Sequence, residues 1–240
     1  MITLGVDPSL TGFGWCIHRS DVVGPKRVLA KGVVKTNAQE LFVTRYAFLR
    51  ASLVRLICLY PEIEALGVES PVFGAQWSSG AYALFVYVNE AIYVCRKDVV
   101  YFDPLTLKML AKMDPKVRKG TMDKVDMIEA ARADTSIKKW DHNEADGYLI
   151  ARSAARFWDL EAGRIPQDEL TPAEARSFAR VHTFVRGQHA GKTVKGGLLF
   201  KEDDRFFKFS LIESTRADEE HRQWLVQRGS QTIQRMEAVL

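Results

Sequence analysis

Short apolar runs and longer stretches of helical periodicity alternate along the first two thirds of the chain, and each change of period marks a new element. From Glu40 to Tyr60 the apolar positions recur at helical spacing, and Pro61 follows their end. Before this helix, three apolar runs separated by turn residues predict an antiparallel meander of strands: 2–7 (ITLGVD), 12–18 (GFGWCIH) and 28–35 (VLAKGVVK).

The next part of the chain alternates single strands with helices. Runs at 65–70 (ALGVES) and 98–103 (DVVYFD) predict two further strands, and a long apolar helix is predicted between them at roughly 75–96. Three more helices are predicted: TLKMLAKM after Pro104, 123–133 and 141–160. This order of elements predicts an α/β fold, a mixed sheet flanked by helices.

Residues 163–240 differ in composition and hydrophobic pattern from the residues before them. GRIPQDELTP is typical of a linker, and the PAEARSFARVHTFVRG that follows predicts a short helix. TVKGGLLF and RFFKFSLIE, joined by KEDD, predict a hairpin, and roughly 218–239 predicts a polar amphipathic helix. We interpret 1–162 as a core domain and 163–240 as an accessory α+β region, a predicted DNA-binding or oligomerising element.

Composition narrows the class of protein without fixing its function. The 240 residues are 47% hydrophobic with a formal net charge of +4, which suits a globular protein and permits nucleic acid as a partner. Three cysteines without zinc or CxxC spacing predict buried thiols in a reducing compartment. No apolar run approaches the ~20 residues of a membrane span, and no signal-peptide pattern opens the chain. We therefore expect a cytoplasmic protein without a membrane partner.

Acidic residues stand at the ends or starts of elements that a mixed sheet would bring together. Asp7 ends the first predicted strand, Glu69 ends the fourth, and Asp146 lies early in the last core helix. Asn143 precedes Asp146 by three residues and shares its helix face, as His142 can. Taken singly, each acid has an ordinary explanation as a turn, surface or helix residue. Together they predict a site of converging carboxylates.

Converging carboxylates repel one another, and a bound cation is the simplest compensation. Mg²⁺ takes oxygen ligands and keeps several waters for substrate phosphates. Two such ions ~3.5–4 Å apart can activate a water and stabilise the leaving oxygen of a phosphodiester. The set therefore predicts metal-dependent phosphodiester hydrolysis.

Three motifs carry a family resemblance over roughly 1–160. VDPSLTGFGW, GVESPVFG and HNEADGYLIARSA resemble the active-site motifs of the RuvC family of Holliday junction resolvases. The resemblance implies an RNase H-like fold, a mixed five-stranded sheet with helices on both faces. It also implies a homodimeric endonuclease that cuts branched DNA with two Mg²⁺ ions per active site, for which Mn²⁺ substitutes, and that needs no nucleotide cofactor. The C-terminal extension of this chain, residues 163–240, suggests a family member of phage or mobile-element type.

Carried over residue by residue, the resemblance implies a ligand set. Asp7 corresponds to the aspartate that bridges both metals, and Glu69 and Asp146 correspond to the acids of the fourth strand and the last helix. Asn143 departs from the family, which carries Asp or, in some relatives, His there. Asn offers a carbonyl oxygen but no charge, so His142 or a nearby acid is an alternative ligand.

Basic and aromatic residues complete the predicted substrate contacts. Lys124 resembles the family's lysine near the scissile phosphate, and Phe73 resembles an aromatic presented to junction bases, which Trp77 could join. Other candidates for phosphate contacts are basic residues in or near the run KVRKGTMDK: Lys108, Lys116, Arg118 and Lys119. A solvated helix face explains such a run equally simply, and both aromatics could instead pack under the long helix.

The long helix at 75–96 is apolar on more faces than one sheet contact needs. A second, intersubunit face is predicted from one set of its residues: Tyr82, Phe85, Val86, Asn89 and Tyr93. A two-fold dimer would set two active sites on opposed strands of a four-way junction.

Three alternatives stay open from the sequence. Asn143 could mark a protein that binds junctions with weak or no cleavage. The same carboxylates could cut RNA or RNA–DNA hybrids. An ATP-dependent actin-like or sugar-kinase fold also begins with a strand, an aspartate and a glycine-rich hairpin, but 240 residues are few for its two lobes.

Overall fold

A computed structural model describes residues 1–70, 79–114, 116–117 and 122–178, together with the backbone of four strands between 181 and 209. The core strands are β1 (Ile2–Asp7), β2 (Phe13–Arg19), β3 (Val28–Val34), β4 (Ala65–Glu69) and β5 (Asp98–Phe102). The helices are α1 (Phe42–Leu59), α2 (Ser79–Val94), α3 (Pro104–Lys112), α4 (Lys124–Thr135), α5 (His142–Glu161) and α6 (Pro172–Ser177).

The five core strands form one mixed sheet in the order β3-β2-β1-β4-β5. β1, β2 and β3 pair antiparallel, as the predicted meander requires, whereas β1 pairs parallel with β4 and β4 parallel with β5. Because Val6 is the register partner of Val68, the carboxyl ends of β1 and β4 meet at one edge of the sheet. The predicted α/β class and the mixed five-stranded RNase H-like sheet are confirmed.

Alternation along β1 and β4 assigns a face to every side chain. Leu4 and Val6 of β1, like Leu66 and Val68 of β4, are fully buried in the core cluster that includes α1 and α2. The intervening residues therefore face the opposite side, where α5 packs. Thr3 demonstrates this, because its hydroxyl donates to the Ala151 carbonyl oxygen of α5 at 2.8 Å.

Helix α5 lies unusually close to the sheet because glycines line the contact. A Cβ on Gly5 of β1 would overlap the backbone of Gly147 and Ala151, and a Cβ on Gly67 of β4 would lie 2.8 Å from the Ala154 Cβ. On the helix itself, a Cβ on Gly147 would lie 2.8 Å from the backbone carbon of Trp15. The glycine contact, defined here as Gly5, Gly67 and Gly147, thus fixes the height of α5 above β1 and β4.

The opposite face of the sheet is covered by α1 and α2, which run side by side. Tyr46 stacks on Tyr87 with ring centroids 5.5 Å apart, and Arg50 pairs with Glu90 at 3.0 Å. The predicted intersubunit face on α2 is partly wrong, because Phe85 packs against Tyr101 at 5.2 Å instead of facing solvent.

A buried polar network ties α4 to α5. Asp134 accepts hydrogen bonds from Arg27 at 2.5 Å, from the Tyr148 hydroxyl at 2.6 Å and from Arg152 at 3.2 Å. Beside it, His18 is 2% exposed, and neither of its ring nitrogens has a hydrogen-bond partner among the described residues. Burial, with a smaller contribution from Arg27 and partial opposition from Asp134, lowers the pKa of His18 to about 3.

This histidine predicts a loss of stability in acid. In the unfolded chain a histidine titrates near its ordinary value of 6.5, so protons favour unfolding progressively as the pH falls from 6.5 towards 3. Between pH 7 and pH 5 the free energy of unfolding should fall by about 2 kcal/mol more in the wild type than in His18→Phe. Chemical denaturation at both pH values measures this. An equal pH dependence of the two proteins would contradict it.

Several details differ from the sequence-based expectations. The thiol of Cys58 is exposed on the last turn of α1, so the expectation that all three cysteines are buried is wrong. The predicted hairpin is present as β8 (Leu198–Glu202) with β9 (Arg205–Phe209). The helix predicted for PAEARSFARVHTFVRG is wrong in its second half, because α6 ends at Ser177 and β6 (Val181–Thr183) pairs instead with β7 (Thr193–Lys195). The predicted helix at 218–239 lies outside the described residues.

The first part of the predicted accessory region packs on the core. Ala173 and Phe178, within and just after α6, join a buried cluster with Phe102 and Trp158. The domain boundary at 162 stays a prediction. Within the described residues, none of the helices has both the length and the apolar character that crossing a membrane requires.

Candidate active site

Asp7 and Glu69 end neighbouring parallel strands on the same face of the sheet. Asp7 continues the alternation of Thr3 and Gly5, and Glu69 continues that of Gly67, so both carboxylates face the side on which α5 packs. Both side chains are half-buried.

Asp146 reaches the same place from α5. It precedes Gly147, whose contact with the backbone of Trp15 holds this turn of α5 against β2 beside the end of β1. The side chain is half-buried. Asp146 therefore lies on the face of the sheet that Asp7 and Glu69 also face, and the use of the three acids as one site stays a prediction.

Each of the three carboxyl groups holds its proton more tightly than an ordinary acid. Burial, reinforced by the negative charge of Asp146, raises the pKa of Asp7 to about 7. Burial and the charges of Asp7 and Asp146 raise the pKa of Glu69 well above its ordinary value, and burial raises the pKa of Asp146 to about 6. Among the described residues, no hydrogen bond reaches any of the three carboxylates. Their charge is thus costly and left available to a cation.

Two lysines oppose these shifts. Lys124, the first residue of α4, lowers the pKa of Asp7 and of Asp146. Lys108 of α3 lowers the pKa of Glu69 and of Asp146, and its Nζ donates to the Met122 carbonyl oxygen at 2.9 Å. Both lysines therefore lie within electrostatic reach of the carboxylates.

The start of α5 places Asn143 beside the turn between β1 and β2. A Cβ on Gly12 would lie 2.8 Å from the Asn143 Nδ2. His142 lowers the pKa of Asp146, so this side chain too is within electrostatic reach of that carboxylate. Glu144 instead forms an ion pair with Lys31 of β3 and accepts the Asp141 N–H at 3.1 Å. Its orientation away from Asp146 agrees with the helical spacing.

A buried arginine holds the turn that follows Asp7. Arg45 of α1 is 4% exposed, and it donates to the Thr36 hydroxyl at 2.8 Å and to the Leu10 carbonyl oxygen at 3.2 Å. The Thr36 hydroxyl donates to the same carbonyl at 2.5 Å. Within the part of the chain that the structure describes, no carboxylate pairs with Arg45, so its hydrogen bonds serve the turn.

Loss of the Arg45 guanidinium should therefore destabilise the protein through the turn that follows Asp7. In Arg45→Met we expect the free energy of unfolding to fall by about 1–3 kcal/mol, because the Leu10 carbonyl loses a charged donor in a buried place. Arg50→Met removes an arginine of the same helix that pairs only at the surface, and should cost less than about 1 kcal/mol. Urea denaturation compares the two. Equal losses would contradict a special role for Arg45.

The donor set suits a hard divalent cation. Carboxylates of Asp7, Glu69 and Asp146 and the amide oxygen of Asn143 are the oxygen ligands that Mg²⁺ prefers. In the arrangement seen, the described residues contain no group of three His, Cys, Asp or Glu side chains gathered closely enough to hold an ion. The carboxylates are near enough to shift one another's pKa but are not drawn around one point.

Other predicted residues fall outside the described part of the chain or away from the carboxylates. Lys116 is exposed and follows Asp114, whose carboxylate accepts its backbone N–H at 2.8 Å. The remaining predicted contacts lie outside the described residues: Phe73, Trp77, Arg118 and Lys119.

Sequence reasoning missed two acids near the site. Asp103, the N-cap of α3, raises the pKa of Glu69, and Asp141, the N-cap of α5, raises the pKa of Asp146. Each directly precedes a predicted helix, which is a recognisable capping signal. That signal indicates where a helix starts, but it does not indicate which other groups the charge of the carboxylate affects.

Comparisons with known proteins find relatives over part of the chain. No family model matches the chain. Over 67 residues it is 37% identical to the crossover junction endodeoxyribonuclease RuvC of Rickettsia felis, a match that covers 28% of this chain and 42% of that protein. The RuvC of Rickettsia massiliae is 36% identical over the same length and coverage. The chain thus spans less than half the length of the curated relatives it matches.

Solved structures of RuvC share the fold. The RuvC structure of Thermus thermophilus has a TM-score of 0.55 at 22% identity and covers 67% of this chain and 97% of its own. The T. thermophilus RuvC in complex with a Holliday junction substrate has a TM-score of 0.55 at 24% identity, covering 67% and 96%. The resemblance read from the three motifs is confirmed, and the core has the RuvC type of RNase H-like fold.

Proposed function

We propose that this protein is a metal-dependent, structure-selective DNA endonuclease that resolves Holliday junctions or other branched DNA. The observation that carries the proposal is the convergence of three desolvated carboxylates, with Lys108 and Lys124 beside them, on one edge of a RuvC-type sheet. Similarity to the Rickettsia crossover junction endodeoxyribonucleases supports the choice of substrate.

The residues that would hold the cation are Asp7, Glu69, Asp146 and Asn143, with His142 as the alternative to Asn143. Bound Mg²⁺, or Mn²⁺ in its place, would neutralise charge on the scissile phosphate and lower the pKa of an attacking water, with two ions in each site. Besides burial, the charge of Asp7 raises the pKa of Glu69 and the charge of Asp146 raises that of Asp7, so Asp7 interacts with both other acids and is the ligand we expect two ions to share. Partial burial removes some of the water around all three carboxylates, which strengthens their hold on a cation.

The two lysines would hold the DNA backbone. Lys124 and Lys108 each lie within electrostatic reach of the carboxylates, where an incoming phosphate adds negative charge. Further phosphate contacts from Lys116, Arg118 and Lys119, and stacking of Phe73 on a base, are part of the proposal.

Loss of Lys124 should slow cleavage. In Lys124→Met we expect turnover of a four-way junction to fall by about 10²-fold, because a positive charge is lost near the carboxylates and the scissile phosphate. Lys26→Met removes an exposed lysine at the opposite end of the sheet and should leave turnover unchanged. Single-turnover kinetics at saturating protein measures both. Equal rates in the two variants would contradict a role for Lys124.

A homodimer is also proposed. Val86 and Tyr93 expose 62% and 45% of their surface on α2. An apolar face of this kind is suited to an isologous contact with a second copy. Such a dimer would present two active sites to the opposed strands of a junction.

A panel of substrates tests the proposal. The protein is incubated with Mg²⁺ and with four-way, three-way, flap, single-stranded and RNA–DNA hybrid substrates, and Glu69→Gln serves as the control. We expect cuts in the branched DNA that Glu69→Gln does not make. Binding of junctions without cutting would indicate a binding protein, and preferential cutting of hybrids would indicate a ribonuclease; either result would overturn the proposal.

A further inference from the structure

The Asn143 side chain is held by the residue that caps its helix. Its Nδ2 donates to the Asp141 Oδ1 at 3.0 Å, and its backbone N–H donates to the same oxygen at 2.9 Å. On the other side the amide lies against Gly12, where there is no room for a Cβ. Because Nδ2 is engaged, Oδ1 is the free end of the Asn143 amide, and no described residue donates to it.

The carboxylate of Asp141 also acts on the site directly. It lies within electrostatic reach of Asp146 and opposes the charge of that carboxylate, against the effects of His142, Lys108 and Lys124. Its side chain is 43% exposed. The Asp141 carboxylate therefore places a negative charge beside Asn143, and Asp141 itself is not one of the candidate ligands.

We infer that Asp141 supplies the negative charge that Asn143 lacks and turns the Asn143 amide oxygen towards the cation. The inference rests on the proposed function, in which Asn143 is a ligand. Asp141 is a positioning residue, because its Oδ1 already accepts two N–H groups. In this arrangement Asn143 offers the oxygen and Asp141 offers the charge. The pair would thus take the role of the single aspartate or histidine at this position in the family that the chain resembles.

Helix capping alone would also explain an aspartate at 141. Asp141 and Glu144 form a capping box at the start of α5. Aspartate and asparagine cap helices about equally well, so Asp141→Asn keeps the cap and removes the charge. A capping role therefore predicts no effect of this substitution on cation binding, whereas the inferred role predicts a weaker site.

The test measures cation binding through thermal stability, without relying on catalysis. The full chain is melted at increasing Mg²⁺ concentrations as wild type, Asp141→Asn, Asn143→Asp and the double variant. In Asp141→Asn we expect the half-saturating Mg²⁺ concentration to rise by about tenfold, with the metal-free melting temperature kept or raised. Asp123→Asn, which alters the capping box of α4 in the same way, should leave the half-saturating concentration unchanged.

The second substitution tests the partnership from the other side. Asn143→Asp places a carboxylate against the Asp141 Oδ1, so we expect a lower metal-free melting temperature than in the wild type. The double variant moves the charge from 141 to 143 and should recover both the melting temperature and a Mg²⁺ response close to wild type.

Two results would overturn the inference. One is an unchanged half-saturating concentration in Asp141→Asn; the other is a metal-free melting temperature in Asn143→Asp equal to that of the wild type. Failure of the proposed function looks different. A wild-type protein that neither melts higher with Mg²⁺ nor cuts branched DNA would contradict that proposal, whereas one that does both, alongside an Asp141→Asn that matches it, contradicts only the role of Asp141.

Discussion

Asp7→Asn should abolish junction cleavage and at the same time make the metal-free protein more stable. Burial and Asp146 raise the pKa of Asp7 to about 7, so ionising it in the folded protein is costly. The folded protein binds the proton more tightly than the unfolded chain, so this cost grows as the pH rises from 3.8 to about 7 and is complete above that. At pH 8 the neutral amide should gain stability on the order of 2–4 kcal/mol.

The same substitution removes the central proposed ligand. We expect cleavage of a four-way junction to fall by about 10³-fold or more, because the charge that would hold both ions is gone. Calorimetric melts at pH 5.5 and pH 8, with and without Mg²⁺, measure the stability side. Mg²⁺ should raise the melting temperature of the wild type at pH 8 and have little effect on Asp7→Asn.

A surface aspartate provides the control for this experiment. Asp21 is exposed and paired with Arg19, whose hydrogen bond holds the pKa of Asp21 below its ordinary value. Asp21→Asn should leave both cleavage and the Mg²⁺ response at the wild-type level. A stability gain at pH 8 in Asp21→Asn as large as that in Asp7→Asn would contradict the assignment of the cost to the buried site.

Gly5→Ala should strongly destabilise the core. The added Cβ would overlap the Gly147 carbonyl oxygen and the Ala151 backbone, and neither backbone can move without lifting α5 off β1. Overpacking against rigid backbone costs about 3 kcal/mol or more, so we expect a large drop in melting temperature or a failure to fold. Gly32→Ala is the matched control, since its Cβ would meet only the Trp15 side chain at 2.9 Å.

Chemical denaturation ranks the two glycine variants. If Gly5→Ala is as stable as the wild type, α5 does not pack against β1 as closely as described. A folded Gly5→Ala of reduced stability should also lose its Mg²⁺-dependent melting shift, because Asp146 is carried on the displaced helix.

The sequence was sufficient to predict the sheet and the three carboxylates. Asp7 and Glu69 each follow four consecutive buried residues of their strand, so their place at the strand ends follows from local pattern. Helical spacing likewise separated Glu144, which pairs with Lys31, from Asp146.

The remaining features depend on contacts between distant parts of the chain. Arg45 sits at an ordinary position of an amphipathic helix, and its role depends on a turn that lies 35 residues earlier. Gly5 looks like any strand glycine until α5 is placed over it. Phe85 was assigned to an intersubunit face because an apolar helix offers several faces, and only its contact with Tyr101 decides between them.

The capping acids show a different limit of sequence reasoning. Asp141 and Asp103 are recognisable as helix caps, which explains them fully at the level of local structure. Their electrostatic effect on Asp146 and Glu69 depends on how α5 and α3 are set against the sheet edge. A residue that helix capping fully explains can therefore also contribute to the electrostatics of the site.

The central claim is that the carboxylates on this sheet edge form a metal-dependent site for cutting junctions. It is tested most directly by single-turnover cleavage of a synthetic four-way junction, mapped on all four strands, across a Mg²⁺ titration. The account predicts paired nicks on two opposed strands that require Mg²⁺ and disappear in Asp7→Asn. Cleavage that persists at the same sites in Asp7→Asn, or no cleavage by the wild type at any Mg²⁺ concentration, would contradict it.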